Sequence, residues 1–424
     1  MTDRDAPVPG VCDDAVAVVG GGAAGLFAAG TIASLGRKAV VFERNPKTGM
    51  KLGITGKGRC NLTNSCTQEE LIAHVPTNPK FLYAAFSAFA PADTMRLFEE
   101  ELGVPLKVER GSRVFPASDK ASDIVKALNR YAASPVIHER VQSLLIEDGV
   151  CRGVVTGRGE YRFPAVIVAT GGLSYPMTGS TGDGYRFAEE AGLKLSPPGS
   201  ALAPLETEEA WCAELQGLSL KNIRIRVWKD GVKKPVYEDF GEMLFTHFGV
   251  SGPVILSASS HIRFRKGEEY RLAIDLKPAL DEKKLDARLL SDFAKYANRD
   301  FGNALDDLLP KKLIPVVVRL SEIDPHTKVN LITREERARL GRLLKSLTLR
   351  ITRLRPVEEA IVTSGGVAVS ELDPKTMAAR KVPGLYFAGE VLDVDAYTGG
   401  FNLQIAFSTA NLAARGACAF LDDR

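Results

Sequence analysis

The chain has 424 residues, of which 45% are hydrophobic and 25% charged, and its 55 Lys and Arg against 52 Asp and Glu leave a net charge of +3. This is ordinary globular composition with room for two or three domains, and it provides no overall field that would favour nucleic acid or an acidic membrane. The sequence starts without the basic-then-apolar order of a signal peptide, has no uncharged apolar run near the ~18 residues of a membrane span, and scatters its six cysteines. We therefore expect a cytoplasmic protein with no membrane span and no disulfide framework.

The N-terminal part predicts a strand, a glycine-rich turn, a helix and a second strand. An apolar run at 15–19 precedes the sequence GGGAAG at 20–25, and a second apolar run at 39–42 ends in Glu43, 23 residues after Gly20. This order is typical of a dinucleotide pyrophosphate site, and the spacing is close to the ~20 residues expected of the acid that binds the ribose. We favour such a site over a purely structural glycine turn. Its candidate residues are Gly20, Gly22, Ala23, Ala24, Gly25, Glu43 and Arg44.

A second glycine-rich stretch at 51–64 combines flexible positions with lysine, arginine and asparagine side chains. Cations and backbone N–H donors together suit a loop wrapped on a polyanion, so we predict a loop along the extended length of FAD rather than a generic basic surface loop. Cys60 and Cys66 lack the CxxC spacing of a redox dithiol, which favours a packing role for Cys60. The candidate cofactor-binding residues here are Lys51, Gly58, Arg59, Cys60 and Asn61.

The middle of the nucleotide-binding part predicts helices at 79–103 and 118–133, followed by short strands and one buried strand. The candidates at 136–138, 141–146, 151–156 and 161–163 are separated by turn residues and indicate a β-meander. The apolar run at 164–169 suits a buried parallel strand. It ends in small residues that allow close approach to a dinucleotide, and the candidate contacts in this part are Val141, Thr170, Gly171 and Gly172. The loop at 179–184 has two open readings, a loop over the cofactor or a structural loop with Asp183 as helix N-cap.

After Pro197-Pro198-Gly199 the pattern changes to β-rich segments and then to a charged, helical stretch, and Pro356 marks the return. An insert of about 160 residues, a plausible domain size, therefore splits the nucleotide domain. A final apolar strand at 385–389 ends in Gly-acid, which suggests that Glu390 binds a ribityl hydroxyl. The next glycine pair begins a long apolar helix whose N-terminus would face the flavin N1–O2 edge and stabilise the reduced cofactor; a plain acidic loop is the alternative. The candidates are Gly389, Glu390, Gly399, Gly400, Phe401, Asn402 and Leu403.

The chain resembles the BaiN-type family of NAD(P)/FAD-dependent oxidoreductases, also known as aminoacetone-oxidase-type FAD-binding proteins, over nearly its whole length. The stretches that carry the resemblance are residues 20–25, 51–64, 169–172, 245–253, 363–367 and 389–404. One departure is Thr376-Met377-Ala378-Ala379-Arg380, where the family often has Thr-Met-Glu-Ser-Lys. The resemblance implies an α/β protein with a split Rossmann-like FAD-binding domain, containing a parallel sheet and a β-meander, and an inserted β-barrel with a small helical domain. We place the FAD-binding parts at 1–195 and 356–424, the barrel at 196–280 and the helical insert at 281–355.

The resemblance also implies reduction of conjugated C=C bonds in oxo-steroids or similar molecules. The sequence has no second complete nucleotide fingerprint, so NAD(P)H would be a transient electron donor, or the electrons would come from elsewhere. Tyr397 and His247 are the candidate proton donors, and His247 alternatively connects the insert to the FAD domain. A small-amine oxidase and a non-catalytic or RNA-associated flavoprotein remain as alternatives. The basic stretch Arg334–Arg355 fits a solvated helix face better than a nucleic-acid patch, so we expect a small-molecule substrate, no nucleic acid and no metal; the oligomeric state stays open.

Overall fold

The computed structural model describes residues 9–264 and 267–423. Its contacts divide the chain into two compact units, one formed by the residues up to Ala201 together with those from Val357 onward, and the other by Leu202–Pro356. Within the described residues, no helix has both the length and the apolar character needed to cross a membrane.

A five-stranded parallel sheet forms the centre of the first unit and confirms the predicted Rossmann-type fold. Its strands, in spatial order, are Leu385–Phe387, Ala165–Val168, Ala15–Val19, Lys38–Phe42 and Val136–Ile137. The three central strands are almost entirely buried, as expected for a parallel sheet with both faces covered. The segment at 136–138 was predicted for the meander, which is wrong, because helix Ala121–Ala132 provides the crossover that returns it parallel to the neighbouring strand.

Helices cover this sheet, and two of them matter for the site because each begins at a glycine turn beside the carboxyl ends of strands. They are Ala23–Ser34 and Phe401–Asp422, which pack together with the rings of Phe27 and Phe407 5.1 Å apart. The other helices of the unit are Met50–Gly58, Gln68–Ala73, Tyr83–Ala88, Pro91–Arg96, Ala121–Ala132 and Asp183–Glu190, with a π-helical turn at Leu97–Glu101. Short 3-10 turns occupy Pro79–Leu82, Pro176–Thr178, Val357–Glu359, Val369–Glu371 and Gly389–Val391.

Three small sheets complete the first unit. The predicted meander is present as Val141–Glu147, Val150–Thr156 and Gly159–Arg162, and Gly10–Val11 adds to it as a parallel edge strand. A second sheet joins Thr63–Asn64, Arg113–Pro116 and Leu106–Glu109. The third pairs Leu195–Ala201 with Val362–Val367, and its register shifts after Ser196, where Pro197 and Pro198 lack the N–H that a regular ladder requires.

A closed antiparallel barrel of six strands forms the second unit, as the resemblance implied. The strands, in order around the barrel, are Leu205–Thr207, Gly249–Ser251, Tyr237–Thr246, Ser219–Lys229, Tyr270–Asp275 and Leu347–Leu354. The last strand lies in the stretch predicted to be helical; its buried residues Leu347, Leu349 and Ile351 alternate with exposed ones, a period of two that fits a strand. The helices of this unit are Pro253–Ser259, Glu282–Lys295, Ile314–Ser321 and Arg334–Lys345, with 3-10 turns at Ala210–Leu215, Phe301–Asn303 and Val329–Leu331.

Candidate functional site

The turn before helix Ala23–Ser34 has room for a ligand only on one side. A methyl group at Gly20, where φ is +109°, would overlap the carbonyl oxygen of Ala169, and one at Gly25 would overlap that of Gly20. At Gly22, by contrast, an added methyl group would meet no atom within 4 Å. The helix has no side-chain cap and no acidic residue in its first turn. Its N-terminal N–H groups, including those at Ala23 and Ala24, are therefore suited to an anion such as a pyrophosphate.

Glu43 lies at the end of its strand with 8% of its surface exposed, directly beside this turn. Its carboxylate oxygens accept hydrogen bonds from the backbone N–H groups of Gly21 and Asn45, both at 2.8 Å. The next residue, Arg44, donates to the Thr181 hydroxyl at 2.5 Å and pairs with Asp183 at 3.3 Å. Glu43 and Arg44 therefore connect the glycine turn at 20–25 with the loop at 179–184.

The interpretation of Asp183 as a helix N-cap is wrong. Gly182 occupies the N-cap position, with φ +81° and no side-chain cap. The Asp183 carboxylate instead accepts hydrogen bonds from Arg140 at 2.6 and 3.1 Å, and the hydrogen bond raises the pKa of the Arg140 guanidinium. Charge pairing with arginines from two other segments has therefore replaced capping.

A polar cluster brings together three of the predicted residues and two that the sequence did not single out. Lys51 Nζ donates to both carboxylate oxygens of Glu390, at 2.7 and 2.8 Å, and to Ser174 Oγ at 2.6 Å. The backbone N–H of Thr363 donates to Glu390 Oε1 at 2.9 Å. A methyl group at Gly172 would overlap the Thr363 hydroxyl, so only glycine allows this close approach. Thr363 lies at 363–367, one of the stretches that carry the family resemblance, and this was the signal in the sequence that could have identified it.

The other predicted residues near the ends of strands Ala165–Val168 and Leu385–Phe387 make different contacts. A methyl group at Gly389, where φ is +80°, would come 2.8 Å from the Ala24 Cβ, so this turn packs directly on the first helix. Thr170 Oγ1 is buried and has no hydrogen-bond partner within the described chain, and it faces the start of helix Asp183–Glu190, where a methyl group at Gly184 would overlap it. Gly171 has φ +73°, and Val141 is buried in the first meander strand.

The stretch at 51–64, predicted to be a loop, begins instead as helix Met50–Gly58. The helix is interrupted at Thr55–Lys57, where Gly56 and Lys57 have positive φ, and Gly58 follows at +83°. Arg59 is engaged by protein carboxylates: it bonds Asp119 at 2.7 Å, pairs with Glu109 and lies 4.2 Å over the Phe115 ring. The hydrogen bond with Arg59 lowers the pKa of Glu109. Its guanidinium is thus placed in an ion-pair cluster of the small sheet.

Cys60 and the nearby Cys66 are free thiols. Cys60 is fully buried with φ +61°, and burial raises its pKa to about 12. Burial, with a smaller contribution from the charge of Glu70, raises the pKa of Cys66 to about 11. Both thiols are therefore protonated at neutral pH, which suits a packing role and disfavours a reactive dithiol.

The N-terminus of helix Phe401–Asp422 is the second open helix end of the site. Gly400 is its N-cap with φ +97°, the helix has no side-chain cap and no acid in its first turn, and a methyl group at Gly400 would overlap the Thr63 carbonyl. Asn64 donates to the Gly399 carbonyl at 3.0 Å, and the Asn61 amide oxygen faces the Gly400 N–H at 3.0 Å. The segment 61–64 therefore seats the glycine turn.

Side chains from remote segments surround this helix end. Asn402 bonds both backbone groups of Ala396, at 2.7 and 2.9 Å, and Leu403 follows as a partly exposed residue of the first turn. The Tyr397 N–H donates to the His74 carbonyl at 3.0 Å, and the His74 ring stacks on Phe401 at 4.3 Å. His74 lies in no recognisable sequence motif, so this contact could not be predicted.

His247 belongs to the barrel unit, where it is exposed in the turn between strands Tyr237–Thr246 and Gly249–Ser251. Its ring meets Phe248 edge-on at 5.0 Å. In the basic stretch of the same unit, Arg337 pairs with Asp286 and Lys345 with Asp275, each at 2.6 Å. Acidic residues thus neutralise part of the charge that the sequence shows there.

The residues of the first unit fit a dinucleotide cofactor on structural grounds. Gly22 leaves open space beside an uncapped helix end, and Gly172 and Glu390 of the polar cluster follow the carboxyl ends of two strands of the parallel sheet, which is where ligands bind in folds of this type. Charged ligand groups would therefore meet backbone N–H donors at both uncapped helix ends, with the buried Glu43 carboxylate beside the first.

Comparison with known proteins agrees with this fold. A family profile described as the HI0933-like protein Rossmann domain matches residues 14–416. The 3-dehydro-bile acid delta(4,6)-reductase of Clostridium scindens is 31% identical over 412 residues, covering 95% of this chain and 98% of that protein. The ribosomal RNA dihydrouridine synthase of Escherichia coli is 31% identical over 406 residues, covering 93% and 95%. Because both relatives are 31% identical to the chain, sequence identity does not favour one over the other.

Among solved structures, the 3-ketosteroid delta1-dehydrogenase of Sterolibacterium denitrificans superimposes with a TM-score of 0.52 at 12% identity, covering 97% of this chain and 100% of that chain. Escherichia coli quinol fumarate reductase FrdA gives a TM-score of 0.50 at 16% identity, covering 97% and 71%. At these identities the likeness extends to the fold alone.

Proposed function

Because the chain belongs to the HI0933-like Rossmann family, we propose that it is an FAD-dependent reductase that saturates a carbon–carbon double bond conjugated to a carbonyl group. The observation that carries the proposal is what the two relatives' names share. A delta(4,6)-reductase of a 3-dehydro-bile acid and a dihydrouridine synthase both yield a product in which a C=C bond conjugated to a carbonyl has been saturated. We take NAD(P)H to be the electron donor, since the sequence has no second fingerprint for a resident nucleotide.

The first helix end and the polar cluster are the parts that would hold FAD. We assign the pyrophosphate to the N–H groups at Gly22–Gly25, the adenosine ribose to Glu43 and the ribityl chain to the Lys51–Glu390 pair. The open space at Gly22 and the burial of Glu43 beside the turn support this assignment. Bound FAD supplies two-electron hydride chemistry, which no side chain provides.

The second helix end would hold negative charge in the reaction. The uncapped N-terminus of helix Phe401–Asp422 offers backbone donors and the positive end of the helix dipole. Asn61 and Asn64 fix its glycine turn, so these donors are positioned before any ligand arrives. Tyr397 lies four residues before this helix and is the candidate proton donor of the first unit; His247 is the candidate of the barrel unit.

A uridine in RNA is the second candidate substrate, because one of the two relatives is named for that reaction at the same identity. The net charge of +3 and the pairing of Arg337 and Lys345 with carboxylates favour the smaller, uncharged substrate. We therefore place an enone of steroid-like size first.

Anaerobic stopped-flow absorbance tests this proposal. The purified protein, loaded with FAD, is mixed with NADH or NADPH, and the reduced protein is then mixed with a 3-oxo-Δ4 steroid, a ribosomal RNA transcript or the corresponding saturated ketone. We expect fast bleaching by NAD(P)H and reoxidation by the enone but not by the saturated ketone. Reoxidation by the transcript alone would move the activity to RNA, and bleaching by small amines without NAD(P)H would overturn the reductase.

A further inference from the structure

We propose that His74 is the acid that protonates the substrate in this reaction, an inference that rests on the proposed function. His74 is the C-cap of helix Gln68–Ala73, a short helix with a Thr67 capping box. This helix is far in sequence from both glycine turns. Three contacts nevertheless bring the residue to the second helix end.

The first contacts join His74 to the loop before helix Phe401–Asp422. The Tyr397 N–H donates to the His74 carbonyl at 3.0 Å, and the two rings meet edge-on with centroids 6.0 Å apart. Four residues later, Asn78 donates to the Asp393 carbonyl at 2.7 Å and to its carboxylate at 3.1 Å. The segment His74–Asn78 therefore runs along the loop 393–397 and is fixed to it at both ends.

The ring of His74 is oriented by a stack. It lies against Phe401 with centroids 4.3 Å apart and an interplanar angle of 22°. Phe401 is buried and is the first residue of the helix whose N-terminus has no side-chain cap. The imidazole is thus held beside the helix end where we expect negative charge to develop.

The hydrogen bond to Glu70 decides which nitrogen exchanges a proton. Nδ1 of His74 lies 2.6 Å from the Glu70 carbonyl oxygen, which can only accept. Nδ1 therefore carries hydrogen in both protonation states, and Nε2 is the atom that gains and loses a proton. Within residues 9–264 and 267–423, Nε2 has no hydrogen-bond partner, and the side chain is partly exposed.

The ionisable groups around this imidazole already have partners. On its own helix, the Glu70 carboxylate accepts from the Thr67 N–H at 2.9 Å. On the facing loop, the Asp393 carboxylate accepts from Asn78 and, at 2.5 Å, from Ser196, and Tyr397 presents its ring edge. Histidine is the side chain used most often as a general acid or base, which favours His74 over Tyr397 for the proton transfer.

The proposed reaction adds one hydride and one proton across the conjugated double bond. One hydride, which carries both electrons and derives from NAD(P)H, adds to the β-carbon of the conjugated bond, and the C=C π bond breaks. The Nε2–H of His74 gives its proton to the α-carbon, which yields the saturated carbonyl compound and NAD(P)⁺. Solvent then returns a proton to Nε2.

The variants His74→Asn and His74→Phe separate this role from packing. Asparagine can keep a donor toward the Glu70 carbonyl and phenylalanine can keep the stack on Phe401, but neither can exchange a proton. We expect both to bleach with NAD(P)H at the wild-type rate and to be reoxidised by the enone about 100-fold more slowly, with loss of the pH dependence of that phase. His326→Asn is the matched control, since His326 is an 85% exposed histidine of the barrel unit.

A readout without FAD accompanies the kinetics. In apoprotein with ¹⁵N-labelled histidine, the His74 signals are assigned by their loss in His74→Asn, and we expect Nδ1 to remain protonated while Nε2 titrates. The opposite tautomer, or wild-type reoxidation with an unchanged pH profile in both variants, would overturn the proposal for His74. If the wild-type protein reacts with no enone, the proposed function fails and the proposal for His74 fails with it.

Discussion

The two helix ends of the site look alike and are built in different ways. Helices Ala23–Ser34 and Phe401–Asp422 both follow a glycine N-cap, and both lack a side-chain cap and an acid in the first turn. At the first end, the close contacts are between backbones, as between Gly25 and Gly20 and between Gly20 and Ala169. At the second end, side chains from residues 61–64 and from His74 hold the turn.

This difference separates two ways of preparing an anion site. The first end depends on side chains being absent, because glycine alone allows its backbone approaches. The second depends on polar side chains being present and mutually satisfied, because its neighbours come from distant parts of the chain. Substitutions should therefore act by overlap at the first end and, apart from Gly400 itself, by loss of hydrogen bonds at the second.

The largest effect is expected for Gly25→Ala. Its methyl group would overlap the Gly20 carbonyl oxygen, which is backbone and cannot move without opening the turn. We expect the free energy of unfolding of the apoprotein, measured by urea denaturation, to fall by about 3 kcal/mol.

Gly22→Ala is the matched control, because its methyl group meets no atom within 4 Å. That variant should stay within about 0.5 kcal/mol of wild type and yet bind FAD more weakly. Equal stability of the two variants would show that the first end is not built by close backbone approach.

The second end is tested by Gln404→Met, which keeps the side-chain volume and removes the amide. Gln404 is fully buried, and its oxygen accepts hydrogen bonds from the Thr63 and Thr94 hydroxyls at 2.6 and 2.7 Å. The substitution leaves both hydroxyls buried without that acceptor, so we expect a loss of about 2 kcal/mol in the free energy of unfolding. Weaker FAD retention should accompany it, because Thr63 supports Gly400.

Asn411→Leu on the same helix is the control for Gln404→Met. Asn411 is also buried, but its Nδ2 has no hydrogen-bond partner within the described residues. Among these residues the Asn411 oxygen accepts only from Arg415 Nε, at 3.3 Å, so replacing this half-satisfied amide with a hydrocarbon of similar shape should cost less than about 1 kcal/mol. A Gln404→Met variant as stable as Asn411→Leu would mean that the buried network does not hold the second end.

Several elements of the fold could be predicted from the sequence alone. The parallel sheet, the meander and the glycine turn at 20–25 depend on local patterns, and the structure confirms all three. The segment Val136–Ile137 was assigned to the wrong sheet because a two-residue strand carries no signal of its partner. The strand Leu347–Leu354 was missed because its charged residues continued the pattern of the preceding helix.

The polar residues around Glu390 and at the second helix end were the hardest to predict. Ser174, Thr363 and His74 come from separate segments, and only the tertiary fold brings them to Glu390 and Phe401. No spacing rule connects residues as far apart in the sequence as His74 and Phe401 or Ser174 and Glu390. The helix at Met50–Gly58 escaped prediction for a different reason, because its glycines disfavour a helix and packing overrides that preference.

The smallest effect is expected for Cys60 and Cys66, which lie in sequence on either side of the segment 61–64 that seats the second glycine turn. Burial raises the pKa of Cys60 to about 12, and the pKa of Cys66 is raised to about 11. Near pH 8 the thiolate fraction is then about 0.01% and about 0.1%, respectively, so neither thiol should react with iodoacetamide in the folded protein. Labelling should increase as the pH rises toward 11, first at Cys66, and mass spectrometry of the labelled peptides measures it; urea-unfolded protein, in which both thiols regain ordinary reactivity, is the control.

The same shifts predict how these thiols contribute to stability and to redox capacity. A pKa raised by folding stabilises the protein below the thiol's unfolded value of 9.0, and that contribution is lost as the pH rises through about 12 for Cys60. A protonated, fully buried thiol cannot exchange electrons with a flavin through a disulfide, so an anaerobic dithionite titration should consume two electrons per bound FAD. Consumption of four electrons, abolished in Cys60→Ala, would show a working dithiol. Electron transfer at this site would then involve the sulfur of Cys60 in addition to FAD.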